Sequence, residues 1–127
     1  AAEVGQALGA IDILVNNAGV IVREGIDSPR AHAAMRQVMD VNVIGAFNVM
    51  HAFLPALRER KGNIVNTAST AALQGIAYTI AYSASKHAVA AITKGLAIEY
   101  PTMQISNLPD VRLTRLPCSP KNRCAIT

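Results

Sequence analysis

Tyr82 and Lys86 set a phenol and an ammonium at positions i and i+4. On a helix those two side chains share a face, one turn apart. An ammonium beside a phenol favours the phenolate, and a tyrosine tuned in this way can move a proton near neutral pH. Ser69, thirteen residues earlier, is a short hydroxyl suited to holding the oxygen that receives the proton. Upstream, Asn16-Asn17-Ala18-Gly19 joins two amides to a glycine that lets another group approach the backbone closely. A Tyr-x-x-x-Lys by itself also occurs on solvated helix faces. It is the set of residues that points to proton transfer at an oxygen.

The elements that must position these residues alternate in type. Residues 1–9 read as the end of a helix stopped by Gly9. Ile11-Asp12-Ile13-Leu14-Val15 is a nearly all-apolar run, as in a parallel strand covered on both faces. A loop over 20–27 leads to Ser28-Pro29, which predicts a helix start with Ser as N-cap and Pro at the first helical position. The stripe Ala31, Ala34, Met35, Val38, Met39 then places Asn42 on the apolar face, where a buried amide must find partners. From Val43 to Leu57 the helix is apolar almost all round, with a kink expected at Pro55. Gly62-Asn63 leads into a strand over Ile64–Ala68 with Ser69 at its tip, and a helix spans Ala81–Tyr100. Helix, strand, helix, strand, helix is the order of right-handed βαβ units. Segment 16–19 and Ser69 both fall at strand C-terminal ends, where open α/β sheets bind ligands.

Asn-Asn-Ala-Gly at 16–19, Asp40-Val41-Asn42, Ile64-Val65-Asn66-Thr67-Ala68-Ser69 and Tyr82-Ser83-Ala84-Ser85-Lys86, at these separations, resemble the short-chain dehydrogenase/reductase family. The resemblance runs from about Ala1 to Tyr100. It implies an α/β fold, a partial Rossmann-like doubly wound parallel sheet with the N-terminal half of the unit missing. It implies NAD or NADP as cofactor and reversible hydride transfer between nicotinamide and a small alcohol or ketone. Tyr82 would be the acid/base and, with Lys86, would bind the cofactor; Lys86 would also tune Tyr82 and hold the nicotinamide ribose, and Ser69 would anchor the substrate oxygen. Asn42 would hold a water in a proton relay from Lys86 to solvent, or satisfy a helix irregularity as a buried amide; both readings are compatible. Asn16, Ala18 and Gly19 would line the cofactor, and Asn17 would tether neighbouring strands. A homo-oligomer through the 43–57 and 81–100 helices is also implied. The family's Gly-rich pyrophosphate turn, and the residue that selects NAD or NADP, are expected upstream of Ala1. A reading of a different class is a truncated, non-catalytic product that associates with full-length subunits. Cofactor binding separates the two.

The 127 residues, 51% of them hydrophobic and none Trp, allow one modest domain and suit an α/β layer structure. No apolar run long enough to span a bilayer and no basic signal-peptide start are read, so a cytoplasmic location without membrane contact is expected. The net charge of +4 comes mostly from the end of the chain. Residues 1–100 carry eight Lys/Arg against seven Asp/Glu, whereas 101–127 carry four against one. That last segment also holds four of the six prolines, both cysteines and no glycine. The chain therefore divides into a catalytic segment, 1–100, and an irregular tail, 101–127, that reads as frame-shifted or disordered. Cys118 and Cys124 fit no common zinc spacing, and His32, His51 and His87 lie on separate helices, so no metal site is expected. The basic tail lacks interleaved aromatics, and no nucleic-acid partner is expected.

Overall fold

Two short apolar runs form the middle of a parallel sheet. The computed structural model describes residues 2–108 and 124–126. Strand β1 (Ile13–Asn16) pairs in parallel with β2 (Asn63–Thr67), Ile13 opposite Asn63 and Asn16 opposite Asn66. Strand β3 (Gln104–Leu108) extends the sheet beyond β2, and β4 (Cys124–Ile126) lies beside β1, giving the parallel order β3-β2-β1-β4. Leu14 and Ile64 are buried on one face, and Ile13 and Val65 alternate to the other and are buried as well. This is the partial Rossmann-like α/β sheet that the motifs imply.

Beyond Tyr100 the chain departs from the irregular tail expected of it, because it supplies both outer strands. Gln-Ile-Ser-Asn-Leu alternates only over its first three residues, too little to announce a strand, and Pro101 precedes it without interrupting it. Cys-Ala-Ile is too short to announce itself by period; its strand state comes from pairing with the edge of β1. Cys118, Pro109, Pro117 and Pro120 lie outside the described residues.

Helix α1 (Ala2–Leu8) brings Val4 to the core. Helix α2 (Ala31–Met39) passes through one wide π-helical stretch, Asp40–Gly45, into α3 (Ala46–Glu59). Ser28 makes the side-chain bond expected of an N-cap, its Oγ accepting from the Arg30 amide (3.1 Å). Its amide donates to the Gly25 carbonyl (3.1 Å) and its carbonyl accepts from Ala31 (3.0 Å), so the regular helix begins only at Ala31, after Ser28-Pro29. Helix α3 runs on through Pro55, and the irregular stretch lies instead around Asn42. Helix α4 (Ile80–Glu99) follows a loop containing a 3-10 turn, Thr70–Ala72. Ile11, Leu14, Met50, Leu57, Ile64 and Met103 form the core between the helices and the sheet. Contrary to expectation, the helical run Ala31–Glu59 has the length and mean hydropathy (1.2) of a membrane-crossing helix. Val38, Met50 and Leu57 are among its buried residues, while most of the apolar window is not buried.

Candidate active site

Strand ends and one helix bring the predicted residues together. Tyr82 and Lys86 lie in the first turns of α4, where small residues surround them: Ala81, Ser83, Ala84 and Ser85. The i, i+4 spacing delivers its contact, with Lys86 Nζ 5.6 Å from the centre of the Tyr82 ring. Lys86 is buried, only 5% exposed, and Nζ donates to the Thr67 carbonyl at the end of β2 (2.6 Å). Burial pushes the Lys86 ammonium below its ordinary value, because the charged form loses water. Two of its N–H groups have no acceptor among the described residues.

Asn42 is 2% exposed and fully engaged. Its Oδ1 accepts from the Val20 amide (2.7 Å), and its Nδ2 donates to the Val20 carbonyl (2.9 Å) and to Ser85 Oγ (3.0 Å). Ser85 Oγ donates in turn to the Tyr82 carbonyl (2.7 Å). The wide helical stretch, the loop after Gly19 and the start of α4 are thus joined through one amide. Asn42 lies within the π-helical stretch, but its side chain bonds to Val20 and Ser85 and not to the helix backbone.

Asn17, Ala18 and Gly19 are exposed past the end of β1. A Cβ on Gly19 would stand 3.3 Å from Asn42 Oδ1 and 3.6 Å from Lys86 Nζ, so this bare backbone faces the ammonium. Asn17 Oδ1 accepts from Thr67 Oγ1 (3.1 Å), the strand tether expected of it. Asn16, expected to line a cofactor, is buried and donates through Nδ2 to Asn66 Oδ1 (2.7 Å), so it tethers strands as well. Asn16 and Ala18 also border an open cavity of about 220 Å³ against Val41, Gly45, Ala46 and Val49. Ser69 is half-buried at the tip of β2, and its Oγ accepts from the Ala71 amide (3.2 Å). That leaves its O–H to donate outward. Neither the Ser69 proton nor the Tyr82 phenol has a partner among the described residues. Sequence reasoning missed three contributors. Thr67 and Val20 act through backbone groups, which carry no side-chain signal, and Ser85 was marked only by its small size and its place one turn beyond Tyr82.

The geometry defines an α/β protein whose predicted site residues gather at the C-terminal end of a parallel sheet. The chain belongs to the short chain dehydrogenase family, whose model matches residues 1–107, through β3 rather than stopping at Tyr100. It is similar to L-fucose dehydrogenase of Rattus norvegicus, 35% identical over 97 residues that cover 76% of this chain and 36% of the relative. It is also similar to cyclohexanol dehydrogenase of Acinetobacter sp. (strain SE19), 40% identical over 96 residues, 75% of this chain and 38% of the relative. Among solved structures, actinorhodin polyketide ketoreductase with NADPH superposes with a TM-score of 0.79 at 36% identity, over 84% of this chain and 42% of that one. The chain thus spans well under half the length of the relatives it matches.

The family uses NAD or NADP. The donors here fit the nicotinamide end of such a cofactor: bare backbone at Ala18-Gly19 beside an ammonium with N–H groups to give. No Gly-rich turn that would cradle the pyrophosphate occurs among the described residues.

Proposed function

We propose that this chain carries the catalytic segment of an NAD(P)-dependent oxidoreductase that interconverts a small alcohol and its carbonyl compound. The observation that carries this reading is Lys86, whose ammonium lies against the Tyr82 ring, the end of β2 and the bare Gly19 backbone at once. The cofactor supplies hydride to the carbonyl carbon in reduction and takes it back in oxidation. In reduction Tyr82 Oη gives its proton to the carbonyl oxygen, and the Lys86 charge stabilises the phenolate left behind. Ser69 donates its O–H to the same oxygen and fixes its position. Asn42, its side chain fully engaged by Val20 and Ser85, holds the loop after Gly19 against the start of α4 and so helps to position Tyr82 and Lys86. Lys86 also donates to the ribose hydroxyls, and Ala18 and Gly19 give the cofactor room to approach. We further propose that a second copy packs on α3 and α4; the exposure of Phe47 and Ile98 on these helices, and of Ile44 one turn before Phe47, supports this.

Titration with NADH and NADPH of the protein with its upstream Gly-rich turn present, followed by turnover of small ketones by that protein and its Tyr82→Phe variant, tests the reading. Tyr82→Phe should lower turnover by about 10²–10⁴-fold, the usual worth of a positioned acid/base, with cofactor binding unchanged. No cofactor binding, or equal turnover in the variant, would overturn it.

A further inference from the structure

Three asparagines stand at one level across three neighbouring strands. Asn16 of β1 is opposite Asn66 of β2, and Asn66 is opposite Asn107 of β3. All three are buried, 5%, 0% and 6% exposed. Polar groups placed there need partners, and each has one. Asn16 Nδ2 donates to Asn66 Oδ1 (2.7 Å), and Asn66 Nδ2 donates to Thr93 Oγ1 (2.8 Å). Thr93 has one proton for two acceptors, the Val89 carbonyl of its own helix and Asn107 Oδ1, both at 2.8 Å. Asn66 Nδ2 also lies 3.4 Å from Met50 Sδ of α3. A single hydroxyl on α4 therefore closes a row that crosses the sheet.

Apolar burial would satisfy the same volume, so the polar row calls for a reason. The strands supply it. Ile13, Leu14, Ile64 and Val65 are buried on both faces, and such runs distinguish a one-residue slip poorly. An amide row that pairs only in register distinguishes it well, since a slip leaves buried donors without acceptors. The same holds along the helix. Thr93 is seven residues after Lys86, two turns on the same face, so the level of Thr93 sets the level of Lys86. Asn66 immediately precedes Thr67, whose carbonyl accepts from Lys86. Asn16 opens the segment that ends in Gly19.

We propose that Thr93 is a positioning residue for the Tyr82–Lys86 site: through the Asn16–Asn66–Asn107 row it fixes how far α4 slides along the sheet, and so where the ammonium and the phenol stand above the strand ends. Its importance for catalysis rests on the oxidoreductase reading, but its effect on Lys86 does not. The test is made on the full chain without cofactor or substrate. Amine acylation by acetic anhydride is quantified by mass spectrometry at Lys86 relative to Lys94 as an internal reference, in wild type, Thr93→Val and Thr93→Ser. Thr93→Val keeps the shape and removes the hydroxyl. It should raise relative Lys86 labelling about fivefold, the factor carried by loss of one hydrogen bond, and Thr93→Ser should restore the wild-type ratio. Thr93→Val that loses thermal stability without changing the ratio would overturn the proposal, since that is what a merely structural threonine does. Should Thr93→Val not fold, hydrogen exchange of the Asn66 side-chain amide in the unaltered chain decides. Protection like that of the Lys86 backbone amide supports the row, and exchange at the free-amide rate overturns it. Failure of the protein with its upstream Gly-rich turn present to bind NADPH would sink the oxidoreductase reading and leave the labelling result standing, so the two are told apart.

Discussion

Lys86 is costly to the fold and central to the site. Its ammonium is removed from water, which lowers its proton affinity below the ordinary value, and one carbonyl bond at 2.6 Å only partly offsets the loss. The sign of the pH effect follows. Between the lowered folded value and the ordinary 10.5, the unfolded chain binds more protons than the folded one, so stability rises with pH through that window. Below the folded value the penalty is present in full. Lys86→Met has no such titration. The urea midpoint of wild type should therefore gain on that of Lys86→Met as pH is raised from neutral towards 10.5; a constant gap would contradict the burial of the charge. The lysine's contact with Tyr82 was readable from spacing, whereas its burial and its bond to Thr67 were not. A solvated helix lysine such as Lys94 has the same one-dimensional signature.

At the scale of elements, close backbone approach decides more than propensity. Lys61, with φ of 51°, and Gly62 end α3 and turn the chain into β2. The Gly62 amide donates to the Leu57 carbonyl (2.8 Å), and the Asn63 amide donates to the Asp12 carbonyl (2.9 Å). A Cβ on Gly62 would stand 2.7 Å from that Asp12 oxygen and 2.8 Å from Leu57 Cδ2. Gly62→Ala should therefore destabilise by about 1–3 kcal/mol, the range for overpacking, read as a lower denaturation midpoint. Gly95→Ala, with open space at its Cβ, serves as the control. Strands β1 and β2 and helices α3 and α4 were legible because their apolar runs and stripes are local. Strand β3 was hidden by flanking prolines and β4 by its length, since both owe their state to a neighbouring strand. The Ser28-Pro29 signal marks the approach to the helix, since Ser28 Oγ accepts from the Arg30 amide, but the turn from Gly25 delays the regular helix to Ala31.

At the scale of the whole molecule, an apolar helical surface remains open. Phe47, 49% exposed, stacks on His51 with ring centres 6.3 Å apart, and Ile44 is 51% exposed one turn before. Single exposed apolar residues need no explanation, but a cluster on a helix already packed on its own sheet does. In the proposed pair of chains this cluster is the contact. Phe47→Glu should weaken self-association by about tenfold or more, the scale of losing a buried aromatic anchor, with the far-UV dichroism unchanged. Sedimentation velocity across a concentration series reads the change, and a wild-type chain that stays monomeric throughout would remove the need for the contact.

The sequence by itself determined the family, the alternation of strands and helices, and the pairing of Tyr82 with Lys86. These follow from motifs and periodicities that act within a few residues. Only the tertiary structure decided which groups meet across the sheet: Lys86 with Thr67, Asn42 with Val20 and Ser85, and Asn16 with Asn66. Those contacts join residues far apart in the chain. They depend on the register of parallel strands and on the level at which each helix docks, and runs that are apolar on both faces specify neither.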